Sequence, residues 1–288
     1  MKRFSIFLLL IVCSSSPAWS IEFREERVPV SLSDERTIEA QLRIPLVPKG
    51  KRVPAVLLFG GFQNAGRVLD LVKPDRPVLL ASFDYPFSPP RKFVFPDSLR
   101  FAPAAKKMVH DTIEGIQVLT EMLAGHPLVN PSQLTIIGAS LGAPFALAAS
   151  AGNSDVKGLV LVHGFGAVPQ TIAHQFVRAW RPKWGWVARP FAGLLGFASW
   201  WYLDIASPEK TARELDSRQH VLVISAAQDS FVPEQASSSL WSAIAESSAV
   251  SKRIVVPGDH LQPGSDELIS ELMQMVWVWA SEASLLEE

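Results

Sequence analysis

The 288-residue chain carries 27 basic and 28 acidic side chains, a formal charge of −1, and 48 % hydrophobic residues. This even balance offers no electrostatic footprint for nucleic acid, so none is expected as a partner, and the length and apolar fraction suit one large domain with a substantial core. The single cysteine, Cys13, excludes a disulfide framework and a thiolate metal site within the chain.

The first residues read as a targeting segment. Lys2 and Arg3 form a basic start, residues 4–12 are an apolar run, and Ala18-Trp19-Ser20 has small residues where cleavage needs them. The run is too short to span a bilayer. The expectation is a signal peptide over residues 1–20, export to the periplasm or medium, and one domain over residues 21–288. An alternative is lipid attachment at Cys13, although Val12 is bulky where such a site has a small residue.

Residues 27–33 and 37–44 alternate like paired antiparallel strands around a Ser33-Asp34-Glu35 turn. Residues 54–59 and 77–83 are continuous apolar runs, as strands of a sheet covered on both faces would be. A helix is expected over residues 103–124, with Val109, Ile113, Ile116, Leu119 and Leu123 on its core-facing stripe. Further strands are expected over residues 157–162, 221–226 and 253–256, and a last helix from Ser265 with Leu268, Leu272, Met275 or Val276, and Trp279 inward. Alternating strands and helices imply an α/β fold with a doubly wound, mostly parallel sheet.

Residues 166–203 interrupt this alternation. They hold five of the nine tryptophans (Trp180, Trp184, Trp186, Trp200 and Trp201), together with Arg178, Arg181, Lys183 and Arg189, and no acidic residue. The segment reads as a helical cap inserted over the strand ends. Trp184 and Trp186 are expected to line a substrate pocket, and the aromatic and cationic mixture suits contact with a membrane surface. Tryptophans that merely pack beneath a cap, with solvated basic residues outside, are the simpler alternative.

The stretch Leu134-Thr135-Ile136-Ile137-Gly138-Ala139-Ser140-Leu141-Gly142 is a short apolar strand followed by G-x-S-x-G and an alanine-rich helix. In that setting the pentapeptide is a nucleophile elbow, with glycines where side chains would collide and Ser140 raised at the positive end of the helix. A serine hydroxyl needs a base, and the base needs an orienting carboxylate. In elbow enzymes the chain order is Ser, acid, His. His260 is the only histidine after residues 221–226, and Asp229 lies in the loop that follows them. Asp259 and Glu234 are alternative acids. His163, in His163-Gly164-Phe165-Gly166, looks like an oxyanion-loop motif but lies on the wrong connection, and is read as a strand-end residue. The oxyanion donors are expected to be the backbone N–H groups of Leu141 and Phe62, with Gly61 letting the substrate approach.

These residues resemble the α/β-hydrolase superfamily over nearly all of residues 21–288, and most of all its dienelactone-hydrolase-like and serine-peptidase-like branch. Val53-Pro54-Ala55-Val56-Leu57-Leu58-Phe59-Gly60-Gly61 is similar to the family's oxyanion strand, Val129-Asn130-Pro131-Ser132-Gln133-Leu134 to its lead-in to the elbow, and Asp229-Ser230-Phe231-Val232-Pro233 to its acid loop. The resemblance implies the α/β-hydrolase fold, with Ser140 as nucleophile, Asp229 as acid and His260 as base. Two departures stand out. Phe59 or Gly60 replaces the usual histidine before the oxyanion glycines, and Ala143 stands where a second glycine is common. A dienelactone hydrolase proper uses cysteine, so that activity is not implied. The expected function is cleavage of carboxylic esters, small or lipid-like, through an acyl-enzyme, with no metal or organic cofactor. A peptidase, amidase or acyltransferase on the same triad is the alternative, and a non-catalytic binding protein a further one.

Overall fold

The computed structural model describes residues 21–61, 64–87, 97–262 and 264–287, without the side chains of Ser98, Lys183 and Trp184. The expected targeting segment with Cys13, and Phe62 in the expected oxyanion loop, lie outside the described residues.

Eight strands form one sheet in the order β1-β2-β4-β3-β5-β6-β7-β8. They are β1 (Phe23–Ser31), β2 (Thr37–Pro45), β3 (Val53–Phe59), β4 (Leu79–Phe83), β5 (Val129–Ala139), β6 (Gly158–Val162), β7 (His220–Ala226) and β8 (Val250–Val256). The β1–β2 and β2–β4 pairs are antiparallel and all later pairs are parallel. The helices are α1 (Ala65–Leu71), α2 (Ala102–Ala124), α3 (Gly142–Ser150), α4 (Val168–Trp184), α5 (Ala188–Leu203), α6 (Pro208–Ala212), α7 (Glu234–Ala245) and α8 (Asp266–Glu282).

The period-2 alternation of a strand divides the core in two. On β3, Val53, Ala55, Leu57 and Phe59 face a cluster with α2, α3, α6 and α7, whereas Val56 and Leu58 face a cluster with α1 and α8. Full burial of a side chain such as Leu57 contributes about 1.5–3 kcal/mol. Val109, Ile116, Leu119 and Leu123 form the buried stripe of α2, with Ile113 partly buried beside them. On α8 the inward position is Val276, while Met275 is 37 % exposed.

Between β6 and β7 the chain forms a hairpin of α4 and α5, joined by a short 3-10 turn. It touches the body through α5 on α2 and α4 on α7, on the α2–α3–α7 side of the sheet. Its entry is fixed at Glu209, whose carboxylate accepts the Ala167 N–H and the hydroxyls of Ser207 and Ser239. Ala167 adopts a left-handed φ of 42° there.

Candidate active site

Ser140 follows the last residue of β5, near the centre of the sheet. Its φ is +52°, a conformation disfavoured for a side-chain-bearing residue and held here by the tight turn into α3. The Ser140 N–H donates to the Val162 carbonyl, and its own carbonyl accepts from Ala143. The flanking glycines are obligatory. A Cβ on Gly138 would lie 2.6 Å from the Ala146 Cβ, and one on Gly142 would lie 2.2 Å from the Phe59 carbonyl oxygen. Leu141 opens α3, where backbone N–H groups have no partner within the helix.

Asp229 follows β7 and His260 follows β8, so both reach the strand edge where Ser140 emerges. The three side chains form one hydrogen-bonded chain. Ser140 Oγ and His260 Nε2 are 2.7 Å apart, and His260 Nδ1 lies 2.8 Å from Asp229 Oδ2. The Asp229–His260 pair is buried. Burial works against the Asp229 charge, but the His260 ring and the N–H groups of Val232 and Phe231 bond to it, and its pKa is lowered overall. With both ends in place, Nδ1 carries a proton and Nε2 is free to take one from the hydroxyl.

Neither alternative acid makes this contact. The Asp259 carboxylate accepts the Ser230 N–H and hydroxyl and the His260 backbone N–H, which hold its pKa at about 2. It thereby ties the loop of Asp229 to the loop of His260. Glu234 is exposed in the first turn of α7.

His163 is closer to the site than its position on the chain suggests. It is 1 % exposed, and its ring centroid is 5.4 Å from that of His260. Its Nδ1 accepts the Leu261 N–H at 2.9 Å, while its Nε2 is buried with no hydrogen-bond partner among the described residues. Burial, then the neighbouring His260, lowers its pKa to about 4. Ligand atoms of His163, Asp229 and His260 lie within 4.8 Å of one another. However, both nitrogens of His260 are already engaged, by Asp229 and Ser140, and we assign the group no metal.

The His260 ring also has an aromatic support. The Phe231 ring stacks on His260 at 5.0 Å between centroids, and the Arg178 guanidinium of α4 lies 3.7 Å over the Phe231 ring. Gln175 donates to the Phe231 carbonyl, and His174 Nε2 lies 3.1 Å from the Ser230 carbonyl oxygen. The hairpin therefore grips the acid loop.

Ser140 and His260 border a cavity of about 370 Å³, within the ~300–1,000 Å³ range of small-molecule sites. It runs into the α1–α8 side of the sheet, between Val68 and Leu71 of α1 with Val72 just after it, and Ile269, Leu272 and Met273 of α8. Gly60 and Gly61 line it as well. This is a correction to the expectation for the cap. Trp186 is 82 % exposed and absent from the lining, and the Trp184 side chain lies outside the described residues. The physical reason is topological, since the hairpin packs on the α2–α3–α7 side and the cavity opens the other one. The sequence reading missed α1, the short helix that forms one wall. The Gly60-Gly61 turn and the N-cap Asn64, which accepts the Arg67 N–H, were the signals for it.

Neither a protein-family model nor a curated protein matches this sequence. Solved structures do. A puromycin-hydrolyzing peptidase from Mycobacterium tuberculosis superposes with a TM-score of 0.69 at 17 % identity, over 94 % of this chain and 41 % of the peptidase. The chain thus spans about two fifths of that protein's length. A putative dienelactone hydrolase from Klebsiella pneumoniae matches with a TM-score of 0.63 at 14 % identity, over 90 % of this chain and 99 % of the other. An acetyl xylan esterase from Paenibacillus sp. R4 matches with a TM-score of 0.58 at 14 % identity, over 91 % and 86 %. Sheet order, elbow and these likenesses agree: the chain has the α/β-hydrolase fold.

Proposed function

We propose that the protein is a serine hydrolase that cleaves carboxylic esters of apolar acids or alcohols through an acyl-enzyme. The hydrogen-bonded chain from Ser140 through His260 to Asp229 carries this reading. Ser140 Oγ attacks the ester carbonyl carbon as its proton passes to His260 Nε2, and Asp229 stabilises the imidazolium. The oxyanion is held by the Leu141 N–H at the positive end of α3. His260 then protonates the departing alkoxide. A water molecule, deprotonated by the same base, attacks the acyl carbonyl and frees Ser140.

The apolar lining beside Ser140 supports the substrate class, since hydrocarbon leaving water for such a wall contributes about 0.8 kcal/mol per methylene. The test is covalent labelling by a fluorophosphonate, followed by turnover on p-nitrophenyl esters of increasing chain length and on aminoacyl amides. Labelling that requires Ser140, and ester turnover that rises with chain length, are expected. Turnover of the amides alone would make it an amidase, and no labelling would remove the hydrolase reading.

A further inference from the structure

Helix α5 is amphipathic in the wrong sense for a helix in water. Its buried face is made of small residues, Ala188, Ala192 and Gly196, spaced four apart. This face lies so close to α4 that a Cβ on Gly196 would sit 2.3 Å from the Pro169 carbonyl oxygen and 2.9 Å from the Ala173 Cβ. The large apolar side chains point outward. Phe191, Leu194, Phe197, Trp201 and Tyr202 are all exposed, Leu194 by 67 % and Trp201 by 72 %. At 100° per residue these five fall within an arc of about 140°. Trp186, in the preceding turn, extends the apolar surface. Close packing through small residues, with bulky side chains turned outward, is how helices pack where the surroundings are hydrocarbon. A patch of this kind on a folded domain marks something that covers it.

The charge pattern selects the cover. Arg178, Arg181 and Arg189 are exposed on the same hairpin, and residues 166–203 contain no carboxylate. An anionic lipid surface offers hydrocarbon to the rings and phosphates to the arginines. Tryptophan and tyrosine favour this boundary because one end of the ring system is apolar and the other hydrogen-bonds. Among the described residues no helix is long and apolar enough to cross a membrane, so α5 would lie along the surface.

We propose that the α4–α5 hairpin is a membrane-docking element whose outer α5 face enters the headgroup region of an anionic bilayer. The same hairpin holds the acid loop through Gln175 and Arg178. The proposal stands apart from the hydrolase reading, because an inactive protein docks equally well.

The test is co-sedimentation of the full chain with vesicles of phosphatidylcholine, with and without phosphatidylglycerol. Leu194→Glu/Trp201→Glu and Arg181→Glu/Arg189→Glu variants are compared with the parent, which shares their N-terminal apolar run. Thermal unfolding checks that each variant folds. The parent should bind the anionic vesicles about tenfold or more tightly than the neutral ones, and less in high salt. Leu194→Glu/Trp201→Glu should lose most of this binding, Arg181→Glu/Arg189→Glu should lose the anionic preference, and Ser140→Ala should bind like the parent. Equal binding by the folded Leu194→Glu/Trp201→Glu variant overturns the proposal. So does equal binding of the parent to both vesicle types. A parent that sediments as a dimer without touching vesicles, and becomes monomeric in the α5 variant, would assign the face to a second copy.

Discussion

The Nδ1 atom of His163 accepts the Leu261 N–H at 2.9 Å, so a histidine at the end of β6 holds the loop that presents His260 at the end of β8. The His163 N–H is in turn anchored on the Ile224 carbonyl of β7. The backbone next to the base is thereby hung on the two neighbouring strands. On the proposed mechanism His163 touches no reacting atom and acts as a positioning residue. His163→Ala should lower kcat by about 10²-fold with KM little changed, as a small displacement of a catalytic group does. His163→Asn offers an oxygen where Nδ1 stands and should recover much of the loss. A matched rise in KM, or no difference between the two variants, would remove the positioning role.

The same residue predicts how stability depends on pH. His163 is held neutral when folded, with a pKa near 4 instead of 6.5, by burial and by the neighbouring His260. Between those values the unfolded chain takes up a proton that the folded one refuses. Stability is therefore fully present above pH 6.5 and is lost as pH falls towards 4, by about 3 kcal/mol. Protonation would also place a hydrogen on Nδ1, against the Leu261 N–H. Denaturant titrations at several pH values should show this slope in the parent and a flatter one in His163→Asn. An unchanged slope in the variant places the proton uptake elsewhere.

Ser140→Ala should abolish turnover and fluorophosphonate labelling while leaving thermal unfolding close to the parent's. Asp229→Asn should lose about 10⁴-fold in kcat, since the amide can neither hold the required tautomer nor stabilise the imidazolium. Asp259→Asn should be much milder, because that carboxylate bonds to Ser230 and to the His260 backbone and makes no bond with the ring. If steady-state kinetics ranked Asp259→Asn as the more damaging change, Asp229 would not be the acid.

Legibility in the sequence followed the scale of the physics. β3, β7 and the second half of β5 were readable because a strand buried on both faces is largely apolar, and the elbow because Gly138 and Gly142 have no room for a Cβ. Asp229 and His260 followed from chain order together with their places after β7 and β8. Helix α1 was harder, since seven residues give too few turns for a periodic pattern. His163 was hidden for another reason. Its bond to Leu261 spans 98 residues, and only the parallel pairing of β6, β7 and β8 brings those strand ends side by side. The tryptophans of residues 166–203 misled because aromatic content reveals an apolar surface but not which way it faces. On α5, alanine and glycine took the buried side.

The cavity beside Ser140 makes the last prediction. Val68 on α1 and Ile269 on α8 stand on its two facing walls, and neither belongs to the hydrogen-bonded triad. Phenylalanine at either position fills space that an acyl chain would need. Overpacking costs about 1–3 kcal/mol of stability, so the half-buried Val68 and Ile269 are better sites than buried Leu272. Val68→Phe and Ile269→Phe should cut kcat/KM for long-chain p-nitrophenyl esters by about tenfold, equivalent to losing roughly two buried methylenes. Acetate should be hydrolysed nearly as before. Trp186→Ala is the control on the opposite side of the sheet, and its chain-length profile on soluble esters should match the parent's. If Trp186→Ala shifted that profile and the two cavity variants did not, the acyl group would lie under the hairpin, and the α1–α8 cavity would have no part in substrate choice.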